Sequence, residues 1–104
     1  MNPKATEKMR ALFSLEGKVA AVTGAGGVLF GAVSRGLAEL GVKIAALDLR
    51  LAEAKKTADD IAAAGGEAIG VEVDVLSRES VERARDAVLA RFNRADILIN
   101  GAGG

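Results

Sequence analysis

The sequence contains no cysteine, no histidine and no tyrosine. Without cysteine there is no disulfide, no thiolate metal site and no thiol nucleophile. Without histidine or cysteine, zinc and copper lose their usual nitrogen and sulfur ligands, and no metal site is expected. The missing tyrosine removes one more acid–base side chain. Neither sign of charge is in excess: 14 Lys and Arg balance 14 Asp and Glu. That balance gives no case for nucleic acid or an anionic membrane as a partner. No apolar run approaches membrane-spanning length, and Met1 to Arg10 lack the apolar core of a signal peptide. The expectation is a cytoplasmic protein. What is present is 104 residues, half of them hydrophobic and 27% charged, the composition of one small globular domain.

The chain is organised around residues 19–31. A short apolar run, Val19 to Val22, stops at Thr23; Gly24, Gly26 and Gly27 follow, and an amphipathic stretch starts near Leu29. Strand, glycine turn and helix in that order present backbone N–H groups and the positive end of a helix to an anion. Residues 1–16 read as an N-terminal arm, with a helical turn from Ala5 to Leu12 and a small apolar patch, Leu12 to Leu15, under the sheet edge. Periodicity and capping residues predict strands over 18–23, 42–47, 68–73 and 96–100. Helices are predicted over 29–40, 51–64 and, behind Ser77 as N-cap, to Phe92. Gly41 and Gly65-Gly66 end the first two. The predicted inward faces are Leu29, Val33, Gly36, Leu37 and Leu40; then Leu51, Ala54, Ala58, Ile61 and Ala62; then Val81, Ala84, Val88 and Phe92. The alternation, βαβαβαβ, implies an α/β fold with a parallel sheet and right-handed crossovers; a doubly wound, Rossmann-type sheet of order 3-2-1-4 would make strands one and four neighbours.

Four segments at strand ends carry candidate chemistry. Gly24, Gly26 and Gly27, with Val28 and Leu29 opening the helix, form a candidate phosphate site. The spacing is not the strict G-x-G-x-x-G, because Leu29 stands at the third glycine, and no Walker lysine follows. A plain tight turn is the bland alternative; three glycines in four residues favour the phosphate. Asp48, followed by Leu49, ends the second strand at roughly the 20-residue distance at which a carboxylate accepts the adenosine ribose hydroxyls. Such an acid repels a 2′-phosphate and favours NAD over NADP, although Arg50 nearby could pair with that phosphate. Asp74 and Val75 end the third strand and could contact adenine; an Asx turn ahead of Ser77 explains Asp74 equally well. Asn100, Gly101, Ala102 and Gly103 follow the fourth strand and would line the crevice where the connections after strands one and four part. Asn100 is expected chiefly to tie two strand ends together.

These residues resemble the N-terminal half of a short-chain dehydrogenase/reductase. Thr23, Gly24, Val28, Leu29 and Phe30 line up with that family's T-G-x-x-x-G-[IL]-G motif, Asp48 with its NAD-selecting acid, Asp74-Val75 with its adenine contact, and Asn100 to Gly103 with its N-N-A-G segment. The details look most similar to the D-mannonate oxidoreductase (fructuronate reductase) branch, which shares Val28 and reads close to I-N-G-A-G-G. Phe30 is bulkier than the small residue usual at its place, so its ring should press either on the diphosphate or on the helix–strand contact. Gly101 replaces the second asparagine.

The resemblance implies an oxidoreductase acting on a CH–OH or keto group, and its branch implies a sugar acid of the D-mannonate/D-fructuronate type. It also implies a dinucleotide cofactor and a homo-oligomeric full-length parent. The family's catalytic Ser, Tyr-x-x-x-Lys and further Asn fall beyond residue 104, so no catalytic residue is assigned here. The chain by itself is expected to bind the cofactor without reducing a ketone. A non-catalytic nucleotide-binding or assembly module is the alternative. A methyltransferase half-domain using S-adenosylmethionine ranks lower, because Thr23 stands where that class has an acid. A receiver-type domain lacks its acid cluster for Mg²⁺. Helix three alone should leave apolar sheet surface uncovered on its face, and strand four should be an open edge. Both point to a portion of a longer dehydrogenase.

Overall fold

A computed structural model describes residues 3–102. Helix α1 (Pro3–Phe13) leads into the alternation β1 (Val19–Thr23), α2 (Val28–Glu39), β2 (Lys43–Asp48), α3 (Leu51–Ala63), β3 (Ala68–Glu72), α4 (Arg78–Phe92) and β4 (Ile97–Asn100). The four strands pair in parallel in the order β3-β2-β1-β4. Register places Thr23 beside both Leu47 and Asn100, and Asp48 beside Glu72. The carboxyl ends of all four strands therefore finish along one edge, where the candidate residues were expected.

Two cores flank the sheet. Ala20, Val22, Val42, Ile44 and Ala46 pack with Ile61 of α3 and with Phe30, Leu37 and Ala38 of α2. Val19, Ala21, Ala45, Leu47 and Val73 pack on the other face with Ala84, Val88 and Phe92 of α4. Both faces of β1 and β2 are covered, which explains their unbroken apolar sequences. Full burial of Val22, Ile44 and Ile61 contributes about 1.5–3 kcal/mol each.

The helices stop where their glycines require. Gly41, at φ +86°, sends its N–H to Ala38 O, and Val42 sends its own to Leu37 O. Gly65 and Gly66 repeat the pattern onto Ala62 and Ile61, so both ends are Schellman caps. Ser77 accepts the N–H of Ser80 as N-cap of α4, and Asn93 ends that helix at φ +64°.

Observed boundaries differ from the predicted ones by a residue or so, but the helix faces differ more. Leu29, Gly36 and Leu40 point outward; Gly31 and Ser34 are the buried positions of α2. Small residues let α2 approach the sheet, while Phe30 supplies bulk beside the predicted Leu37, so an apolar count alone found only part of the arc. In α3, Leu51 and Ala62 are exposed and Thr57 is buried instead. In α4, Val81 is exposed while Ala84, Val88 and Phe92 are buried. Residues 3–13 form a helix longer than the predicted turn; of the predicted patch, Leu12 is exposed and Leu15 packs on the core, and the Phe13 side chain lies outside the described ones.

Candidate cofactor-binding site

Each glycine of the turn answers a different neighbour. Gly24 adopts φ +70°, and a Cβ there would lie 2.7 Å from Gly101 O. It is glycine because the connection after β4 crosses directly over it. A Cβ on Gly26 would meet Glu53 Cβ at 2.6 Å and Asp48 Oδ2 at 2.8 Å; the side-chain space here is taken from β2 and α3. At Gly27 a Cβ would meet only Gly24 O, at 3.3 Å. Gly27 is also the N-cap of α2; it supplies no side-chain cap, and no acid stands in the first turn. The opening amides of α2 are thus left to an outside acceptor.

Asp48 is buried, and both its oxygens accept main-chain hydrogen bonds: Oδ2 from Gly26 N and Oδ1 from Arg50 N, each at 2.9 Å. Arg50 Nε lies 3.8 Å from Oδ1, with its side chain mostly exposed. Each carboxylate oxygen keeps a second lone pair for a hydroxyl donor. Asp74 does form an Asx turn, Oδ1 accepting from Leu76 N at 3.0 Å, while its own N–H donates to Ser80 Oγ at 2.8 Å.

Thr23 joins the two glycine segments. Its hydroxyl donates to Asn100 Oδ1 at 2.9 Å and accepts from Gly101 N at 3.0 Å and Ala102 N at 3.2 Å. Asn100 therefore ties the ends of β1 and β4. Phe30 lies over Gly101, where a Cβ would run into the ring. It packs with the core beneath α2, on which Ile97 and Ile99 also rest. Of the two placements expected for this ring, the structure has the helix–strand contact.

A cleft of about 290 Å³ opens at this edge, walled by Gly24, Asp48, Leu49, Val73, Asp74, Val75, Leu76 and Ala102. Phe30 is not among its walls. The volume is close to the lower end of the roughly 300–1,000 Å³ usual for ligand sites. Six of the sequence candidates meet there: Gly24, Asp48, Leu49, Asp74, Val75 and Ala102. Gly26, Gly27 and Val28 instead border a groove between α2 and α3, with Arg35, Glu53, Lys56, Thr57 and Asp60. Val28 and Leu29 project outward, 92% and 66% exposed. Asn100 borders a third, apolar groove under α4, Gly101 sits beneath Phe30, and Gly103 lies outside the described residues.

The family model for short chain dehydrogenases matches residues 18–104. The chain belongs to the short-chain dehydrogenase family. It is 46% identical over 91 residues to UxuB, an uncharacterized oxidoreductase of Bacillus subtilis (strain 168), a match covering 88% of this chain and 33% of that protein. It is 43% identical over 91 residues to the D-threitol dehydrogenase of Mycolicibacterium smegmatis, covering 88% of this chain and 35% of that one. The crystal structure of a Haemophilus influenzae protein assigned as a D-mannonate oxidoreductase, with bound NAD, superposes with a TM-score of 0.84 at 41% identity. That match covers 92% of this chain and 34% of the other. The chain spans about a third of the length of these relatives.

Family membership sets aside the methyltransferase and receiver-type alternatives, and the sheet order is that of a Rossmann-type short-chain dehydrogenase. One residue near the site escaped the sequence reading. Thr57 Oγ1, on α3, donates to Ala25 O at 2.9 Å. Its signal was present: Ala54, Thr57, Ala58 and Ile61 repeat at helical spacing. A hydroxyl within a buried stripe demands a partner, but a count of apolar residues passes over it.

Proposed function

We infer that the chain is the part of a short-chain dehydrogenase that holds the adenosine and diphosphate of NAD(H). The parent enzyme would move hydride at a CH–OH or keto carbon of a sugar acid. The observation that carries this reading is the cleft at the strand ends. There Asp48, Asp74, Val75, Gly24 and Ala102 converge, while the first turn of α2, without a side-chain cap, opens on the groove that Gly26, Gly27 and Val28 border. The residues fit the cofactor: Asp48 offers acceptors for the ribose hydroxyls, Val75 and Leu49 give apolar walls for adenine, and Val28 and Leu29 supply amides for the diphosphate, the Gly27 N–H being held by Gly24 O at 3.0 Å. NAD, when bound, supplies the hydride acceptor, and this segment anchors its far end. The NAD-bound relative supports that assignment. NAD is preferred to NADP because a 2′-phosphate would approach the buried Asp48 carboxylate. The 104 residues alone contain no Tyr, the family's acid–base residue, and are read as binding cofactor without turning over a ketone.

Titration of the chain with NADH, NADPH and S-adenosylmethionine tests the reading. NADH should bind, S-adenosylmethionine should not, and Asp48→Ser should weaken NADH at least tenfold while narrowing the gap to NADPH, because Arg50 remains. A correctly folded chain that ignores NADH removes the assignment.

A further inference from the structure

The peptide unit joining Ala25 to Gly26 is gripped at both ends. Its carbonyl accepts the Thr57 hydroxyl at 2.9 Å, and its N–H donates to Asp48 Oδ2 at 2.9 Å. In a planar trans peptide these two groups point in opposite directions, so the two grips act from opposite sides. Ala25 is fully buried and Thr57 is 4% exposed, which keeps water from replacing the hydroxyl. The unit also needs restraint. Gly26 adds a residue with wide backbone freedom on one side, and rotation of this plane would turn a carbonyl toward the Asp48 carboxylate.

We propose that Thr57, which lines no part of the adenosine cleft, is a positioning residue that locks the Ala25–Gly26 peptide and so fixes the diphosphate-binding turn in its binding form before ligand arrives. The proposal rests on the cofactor reading above and extends it to a side chain on α3. Asp48 has two tasks, since ribose hydroxyls would use the second lone pair of the oxygen that holds Gly26. Thr57 has one, and it keeps the turn in place while Asp48 is shared.

The test compares Thr57→Val, which keeps the shape and loses the donor, with Thr57→Ser, which keeps the donor. In the ligand-free full chain, Thr57→Val should broaden or double the amide signals of Gly26 and Gly27. The amides of β1 and β2 should keep their exchange protection. ADP should bind about tenfold more weakly to this variant, adenosine equally well, and Thr57→Ser should behave as the parent in both measurements. Unchanged Gly26 and Gly27 signals in Thr57→Val overturn the proposal. So does equal weakening of adenosine and ADP, or loss of sheet protection together with the turn, which would mark Thr57 as a general packing residue. A parent chain that binds neither ADP nor NADH sinks the cofactor reading instead, and the ligand-free amide signals still decide the role of Thr57.

Discussion

Three glycines in one short turn do three separate jobs, and substitution should separate them. Gly24→Ala puts a methyl group onto the Gly101 carbonyl at an unfavourable positive φ, so thermal melts should show a loss of several degrees or failure to fold. Gly27→Ala has ordinary φ and only one contact to relax. It should change stability by less than about 1 kcal/mol yet weaken NADH, because on the proposed reading the new methyl group stands where the diphosphate would meet the main chain. Phe30 and Gly101 form a matched pair of large and absent side chains. Gly101→Ala should cost about 1–3 kcal/mol from overpacking. In the Phe30→Ala background the same change should cost much less, a coupling that a double-mutant cycle in urea measures directly.

Elements were legible to the extent that one local signal dominated them. The strands declared themselves as apolar runs ending at Thr23, Asp48 and Asn100, and the helix ends were written in Gly41, Gly65 and Ser77. Ser77→Ala should therefore destabilise by about 1 kcal/mol in chemical denaturation. Helix faces were less legible. The buried arc of α2 runs through Gly31 and Ser34, small residues that tertiary packing selects and hydropathy does not. The close approach of Glu53 and Asp48 to Gly26 was not legible either, because it depends on how α3 returns to the sheet. The hydrogen bonds that Asp96 makes at the entry to β4 gave no sequence signal either. Arg94 Nη2 donates to Asp96 Oδ1 at 2.6 Å, and Val19 N donates to Oδ2 at 2.9 Å. The Arg94 hydrogen bond, then the Val19 N–H, hold the Asp96 carboxyl below the usual carboxylate range. A lowered folded pKa means that the stabilisation is complete above the unfolded value of about 3.9 and disappears as pH falls through the folded one. Asp96→Asn should thus melt lower than the parent at pH 7, with the two curves converging in strong acid.

As a whole, the sheet is covered unevenly. The α4 face of β4 has no helix over it among the described residues, and Leu98 is 73% exposed beside an apolar groove of about 490 Å³ that reaches from Ala95 to Asn100. The expectation that one helix would leave apolar surface bare on this face agrees with the structure. A chain of this kind should enhance the fluorescence of a hydrophobic dye in its folded state. Leu98→Lys should reduce that enhancement without lowering the melting temperature.

The Thr23 hydroxyl reaches partners 77 to 79 positions away, and this distance sets an order of events during synthesis. A nascent chain halted before Asn100 emerges from the ribosome already carries the glycine turn and Asp48, but the wall at Ala102 does not yet exist. Capture of a nucleotide would therefore begin only with the docking of the fourth strand, making the ligand a reporter of that last step and, by mass action, its stabiliser.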